Sequence, residues 1–307
     1  MSNIHVPVLL KEAIQYLVSR PDGVYVDATL GTGGHFSELA RHLNDRATLI
    51  GLDADPGAID YCRSALSISQ KHLLIHSNFE SLKAVCYRNG YPKVDGILMD
   101  LGLSSFALDN PQRGMSFTHD GPLDMRFSPT LSITAADIVN QWKLEDLIRI
   151  FHEFGEERRS KTIARAIVRQ RETLPIESTA QLVKIIRQNA PSQFINKTLS
   201  RIFQALRIAV NREMEVLEKA LNDSLSILNP GAHIVVITYH SLEDRIVKQF
   251  FKTESSDCIC PREFPTCQCN HKAALQLLMK KPVLPSKKEI TLNSRARSAK
   301  LRAAKRI

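Results

Sequence analysis

Three groups of residues in this chain have types and spacings that could do chemistry. The first is a glycine-rich turn: Val24 to His35 reads VYVDATLGTGGH, a short apolar run followed by Gly31, Gly33 and Gly34 and then a helical stretch from near Phe36. Such glycines let backbone pass close to a ligand, and the free N–H groups of a helix start attract an anion. The second group is two carboxylates that close apolar runs. Asp53 follows Leu49-Ile50-Gly51-Leu52, about twenty residues beyond the glycines, where a carboxylate can accept hydrogen bonds from both hydroxyls of a ribose. Asp100 follows Ile97-Leu98-Met99, at the edge where open α/β sheets place reactive groups. The third is a cysteine cluster, Cys258, Cys260, Cys267 and Cys269, in CxC-x6-CxC spacing. Four thiolates so close can surround a structural zinc ion, with His271 as a substitute ligand; free thiols in a loop are the plainer alternative.

The glycine turn alone leaves the ligand open. A dinucleotide fingerprint requires a small residue where Phe36 stands, so hydride chemistry has little support, and no GxxxxGK[ST] run exists for a phosphate loop. Glycines that merely form a tight turn are the bland reading. If the ligand is S-adenosylmethionine, its methionine carboxylate is the anion that the helix start would hold. Phe79, in HSNFESL, could cover an adenine ring with its aromatic face or be an ordinary core residue.

These residues need a scaffold, and the hydrophobic pattern supplies one. Val24-Tyr25-Val26, Thr48 to Leu52, Leu73 to Ile75 and Gly96 to Met99 are short apolar runs separated by helical stretches, the rhythm of βαβ units. A fifth run, His233 to Ile237, comes only after Asn229-Pro230-Gly231. The expected fold is α/β, a Rossmann-like doubly wound and mostly parallel sheet, with an inserted all-helical domain. Leu144 to Phe151, Ile163 to Val168 and Leu182 to Ile186 carry the insertion's helical spacing, and Thr198 to about Leu221 reads as one long amphipathic helix returning to the sheet. The expected boundaries are 1–105 and 206–307 for the sheet domain and 106–205 for the insertion.

Charge is concentrated at one end. The 307 residues hold 41 Lys or Arg against 32 Asp or Glu; residues 280–307 hold ten basic residues and one acidic, a net of +9. The remaining 31 basic and 31 acidic residues cancel, so the whole excess lies in this basic C-terminal tail, a footprint for polyanions or a solubilising terminus. No apolar stretch approaches the roughly 20 residues needed to span a bilayer. A cytoplasmic protein with no membrane partner is expected.

The segments DATLGTGGH, DLGLSS, RGMSF, DGPLDMRF, GEERRSKTIARAIV, FQALRIAVN and HSLEDRIVK, in this order, closely resemble the bacterial ribosomal small-subunit RNA cytosine-N4 methyltransferase family, over nearly the whole chain. The resemblance implies a class I methyltransferase domain with a helical substrate-recognition insertion. It also implies S-adenosylmethionine as cofactor, and as partner the 16S ribosomal RNA or the small subunit, methylated at the exocyclic N4 of a decoding-region cytidine. It places cofactor contacts on Gly33, Gly34, His35, Asp53, Phe79 and Asp100. The family usually continues DLG-x-SS with Pro-Gln, whereas Phe106 and Ala107 follow Ser105 here, so a side-chain hydrogen bond is lost at 107.

A cytosine amine is a poor nucleophile because its lone pair is delocalised into the ring, so acceptors that draw its hydrogens would help it attack. Asp100 with Ser104 and Ser105 is the expected catalytic group. Tyr239 to Arg245 is the nearest other polar cluster; His240 could join the site, or be a hydrogen-bonded structural histidine. Arg158, Lys161, Arg165 and Arg169 fall on one helical stripe that could follow a phosphate backbone, or form a solvated face paired with Glu153, Glu156 and Glu157. The rival outside enzymology is a ribosome-assembly factor without transfer chemistry, which the intact glycines, Asp53 and Asp100 oppose. A methyltransferase of protein or DNA is the enzymatic rival.

Overall fold

Apolar runs with no polar interruption must be covered on both faces, and the sheet shows why these are. The computed structural model describes residues 7–102, 110–261, 263–264 and 266–307. Helix α1 (Leu10–Leu17) leads into β1 (Val24–Asp27), α2 (Gly34–Arg41), β2 (Thr48–Asp53), α3 (Pro56–Ala65), β3 (Lys71–His76), α4 (Leu82–Arg88) and β4 (Val94–Asp100). β1 pairs in parallel with both β2 and β4, and β2 with β3. The chain therefore winds outward from β1 in one direction and resumes at β4 on the other side. That reversal opens a crevice at the carboxyl ends of β1 and β4, where ligands of open α/β sheets bind.

Two compact units follow from the contacts, Met1–Gly102 with Met214–Ile307, and Leu103–Glu213. The second unit is helical: α5 (Ala135–Gln141), α6 (Leu144–Glu153), α7 (Ser160–Arg171), α8 (Thr179–Asn189) and α9 (Ile195–Asn211). It has its own core, with Leu147, Ile150, Phe151, Ile163, Ile167, Leu182, Ile186 and Ile202 buried together. Capping boxes start α5 at Thr134 with Asp137 and α8 at Ser178 with Gln181, each satisfying orphan N–H groups reciprocally.

The single helix read over Thr198 to Leu221 is two. Arg212, at φ +51°, closes α9, and α10 (Glu213–Ile227) begins after it. No glycine or proline marks this break, and the apolar spacing continues through it. After α10 come β5 (Leu228–Thr238), α11 (Ser241–Glu254), β6 (Leu275–Leu277), α12 (Lys287–Leu292) and β7 (Lys300–Arg306), completing a seven-stranded sheet of order β3-β2-β1-β4-β5-β7-β6. β5 joins β4 in parallel, while β7 runs antiparallel to β5 and β6. This is the expected doubly wound, mostly parallel α/β sheet. One face buries Tyr25, Leu49 and Leu98 beneath α1, α2 and α3; the other buries Val26, Ile50, Ile97 and Met99 beneath α4, α10 and α11.

The end of the basic segment expected as a tail, Lys300–Arg306, is built into this sheet as β7. β7 lies between two strands, and its Lys300 and Arg302 bond to Asp244 of α11 at 2.9 and 2.8 Å. Burial pushes the Asp244 carboxyl up, but those two cations outweigh it and the net direction is down. Lys280, Lys281, Lys287, Lys288, Arg295 and Arg297 remain exposed. Among the described residues no helix is long and apolar enough to cross a membrane.

Candidate active site

β1, β2 and β4 each end in an aspartate, so parallel pairing sets Asp27, Asp53 and Asp100 along one carboxyl edge. The turn after β1 brings its glycines to the same edge. Gly33 adopts φ +76°, and a Cβ there would come within 2.9 Å of Leu66 Cδ2, so the left-handed backbone and the close approach both call for glycine. Helix α2 follows with no side-chain cap, which leaves its first N–H groups available to an anion. Gly34 has a different reason: a Cβ there would run into the Pro7 ring, on the protein side.

Asp53 braces the turn directly. The Gly31 N–H donates to its Oδ2 at 2.7 Å and the Asp55 N–H to its Oδ1 at 2.8 Å. Burial pushes this carboxyl up and the two N–H donors oppose it, with the net direction upward. Each oxygen keeps a further lone pair for a ligand hydroxyl.

Asp100 sits in a tighter arrangement. The Tyr239 hydroxyl donates to its Oδ1 at 2.8 Å, and its backbone N–H donates to Thr29 Oγ1 at 2.6 Å. His35 Nδ1 lies 3.6 Å from its Oδ2. The other ring nitrogen of His35, Nε2, lies 3.0 Å from the Val8 carbonyl oxygen, which can only accept, so Nε2 carries the hydrogen. His35 is buried with both ring nitrogens facing protein partners, which leaves its backbone N–H as the group able to meet a ligand.

Asp27 was not singled out from the sequence, and Tyr239 was read only as the start of a polar cluster. Asp27 is 1% exposed and accepts the Thr29 N–H at 3.1 Å. Burial lifts its carboxyl to about 6, against the opposing pull of His35 and the Thr29 N–H and with further push from Asp100 and Asp53. Tyr239 immediately follows β5, and its ring packs where a Cβ on Gly102 would stand, 2.7 Å from Cε2. Burial first, and Asp100 second, hold its hydroxyl well above the ordinary 10, so it stays a donor. The useful signal was position: both residues stand at the end of an apolar run, as Asp53 and Asp100 do.

His240 caps α11. It forms a reciprocal box with Glu243, whose Oε2 accepts the Tyr239 N–H at 2.8 Å, and this accounts for the histidine structurally. Phe79 opens a 3-10 turn just beyond β3 and is half-buried against the core on one face of the sheet. Ser104, Ser105 and Ala107 lie outside the described residues.

The model of the MraW methylase family matches residues 2–307, essentially the full length. The chain belongs to the MraW methylase family. It is similar to proteins named ribosomal RNA small subunit methyltransferase H from Carboxydothermus hydrogenoformans, at 49% identity over 99% of this chain and 98% of that one. The proteins of the same name from Halothermothrix orenii and Clostridioides difficile are 44% and 45% identical, each covering 99% of this chain and 98% and 99% of their own lengths. A solved rRNA methylase from Streptococcus thermophilus overlaps 97% of this chain and 93% of its own at TM-score 0.41 and 10% identity, too loosely to add weight.

In this member of the family two further groups have defined surroundings. Arg158, Lys161, Arg165 and Arg169 are all exposed, and among the described residues none forms an ion pair. Glu157 is turned inward instead, 3.6 Å from Arg201 and accepting the Arg159 N–H at 2.9 Å. The sulfurs of Cys258, Cys260, Cys267 and Cys269 gather within 4.8 Å of one another, and His271 is not among them.

Proposed function

We propose that this chain binds S-adenosylmethionine at the carboxyl edge of β1, β2 and β4 and transfers its methyl group to the exocyclic N4 of a cytidine in the decoding region of 16S ribosomal RNA. The observation that carries the reading is the set of strand-end carboxylates around an uncapped, glycine-lined helix start. The donors and acceptors fit the cofactor's chemistry: an anionic methionine end for the α2 N–H groups, and ribose hydroxyls for the lone pairs left on Asp53. Phe79 supplies an apolar face beside them for adenine. The bound cofactor supplies an electrophilic methyl group on a sulfonium.

Asp100 then does the positioning at the amine. Its Oδ1 is oriented by the Tyr239 hydroxyl, and the carboxylate can accept an amine N–H, drawing density back onto the nitrogen as it attacks. With the methyl donor bound, Asp100 or water would take up the proton that the amine loses on methylation. Tyr239 keeps its own hydrogen and holds the carboxylate in place. Its buried ring beside Gly102 also walls the site with an apolar surface.

Substrate contact outside the edge falls to exposed cations. Arg158, Lys161, Arg165 and Arg169 offer unpaired positive charge to phosphates, and the same helical unit has a groove of about 390 Å³ lined by Phe117, His119, Lys184 and Arg187. A ribosomal substrate supports a cytoplasmic location. The test is nucleoside mass spectrometry of small-subunit RNA from cells with and without this protein, repeated with purified components. N4-methylcytidine that appears only with the protein supports the reading; an unchanged nucleoside profile rejects it.

A further inference from the structure

The twenty-residue connection between α11 and β6, residues 255–274, raises a question of what holds it. Among its described residues none is buried, and its largest apolar side chains, Ile259 and Phe264, are 51% and 48% exposed. Hydrophobic burial therefore contributes little to its order. Its two ends are tied: Ala274 N–H donates to the Glu254 carbonyl at 2.7 Å, and His271 Nε2 to the Thr253 carbonyl at 3.0 Å. Between these ties the four cysteine sulfurs converge.

The geometry points to a structural zinc ion bound by Cys258, Cys260, Cys267 and Cys269. Cys267 and Cys269 have their sulfurs 3.6 Å apart, and Cys269 and Cys258 3.9 Å apart. A tetrahedral four-thiolate zinc site with bonds of about 2.3 Å has sulfur–sulfur edges of about 3.8 Å. All four are free cysteines, so no disulfide competes for them. A cluster of several irons needs its thiolates further apart than the 4.8 Å that bounds this group.

The backbone is arranged for thiolates as well. Ile259, the middle residue of the first CxC arm, donates its N–H to Cys269 Sγ at 3.4 Å. Gln268, the middle residue of the second arm, donates to Cys260 Sγ at 3.3 Å. Each arm thus aims an N–H at a sulfur of the other, the kind of outer contact that spreads thiolate charge and orients ligands. With four protein ligands no coordination position stays open, so the ion cross-links the loop and takes no part in methyl transfer.

The test uses the full-length chain, purified without chelator and with any polyhistidine tag removed. Elemental analysis is expected to give about one zinc per chain. Cobalt replacement should produce the visible spectrum of a tetrahedral thiolate site. The double variant Cys258→Ser with Cys267→Ser should lose the metal, whereas Cys86→Ala, at a buried cysteine in the sheet core, should keep it. If the double variant proves insoluble, chelation of the wild-type protein serves instead: stripping the ion should open residues 255–274 to protease while the rest of the chain resists. Three results overturn the inference: a folded protein that retains under about a tenth of an equivalent after zinc is offered in excess, retention of the full equivalent by the double variant, or iron in place of zinc.

Discussion

The carboxyl edge of the sheet and the outer face of α7 hold charge in opposite ways. Asp27, Asp53 and Asp100 are drawn in and each fixed by at least one bond between 2.6 and 3.1 Å, whereas Arg158, Lys161, Arg165 and Arg169 stand exposed, without ion-pair partners among the described residues. The first arrangement acts at short range on one oriented ligand and is little screened by salt. The second acts over roughly a Debye length of about 8–10 Å and weakens as salt rises. Specific chemistry and general attraction to a polyanion are thus assigned to different units, and each can be broken separately.

The largest effect is expected at Asp100. Asp100→Ala should lower methyl transfer about 10³-fold, the scale of losing an oriented electrostatic partner, with the chain still cooperatively folded; tritiated-methyl transfer to immature small subunits measures it. A normal rate would remove Asp100 from the mechanism. Next is Asp27, whose folded carboxyl lies at about 6 against an ordinary 3.8. The folded state then binds more protons than the unfolded one between those values, so stability is lost as pH rises through that window. The loss amounts to about 3 kcal/mol. Asp27→Asn should match wild type in denaturant midpoint near pH 4 and exceed it increasingly up to pH 7; parallel curves would show that the burial cost is offset elsewhere.

Asp53→Ala should weaken S-adenosylmethionine binding by about ten- to a hundredfold, the worth of charged hydrogen bonds of about 1.5–3 kcal/mol, read by calorimetric titration. Unchanged affinity would assign Asp53 to bracing Gly31 alone. The smallest effect belongs to α7: replacing Lys161, Arg165 and Arg169 by Gln should shallow the salt dependence of RNA binding by about 0.7 per lost phosphate contact while leaving cofactor affinity intact. An unchanged slope would make this an ordinary solvated face.

The parts legible in the sequence are those where one physical demand dominates. β1, β2, β4 and β5 read as strands because both faces are covered, which leaves continuous apolar runs. β7 did not, since KLRAAKR carries four cations; only the fold shows that Asp244 receives two of them. Arg212 breaks a helix without a glycine to announce it. Asp53 and Asp100 stand at the strand ends that the apolar runs indicate, but Tyr239 reaches Asp100 across the gap between 100 and 239, a pairing that only the β4–β5 register creates. The cysteine spacing likewise leaves metal and free thiols open until the two arms are brought together.

A crystal structure of the chain soaked with S-adenosylmethionine tests the central claim most directly. The ribose hydroxyls should lie within hydrogen-bond reach of Asp53, the methionine carboxylate at the start of α2, and the sulfonium methyl should face Asp100. Ligand density elsewhere, or none at this edge at saturating concentration, would contradict it.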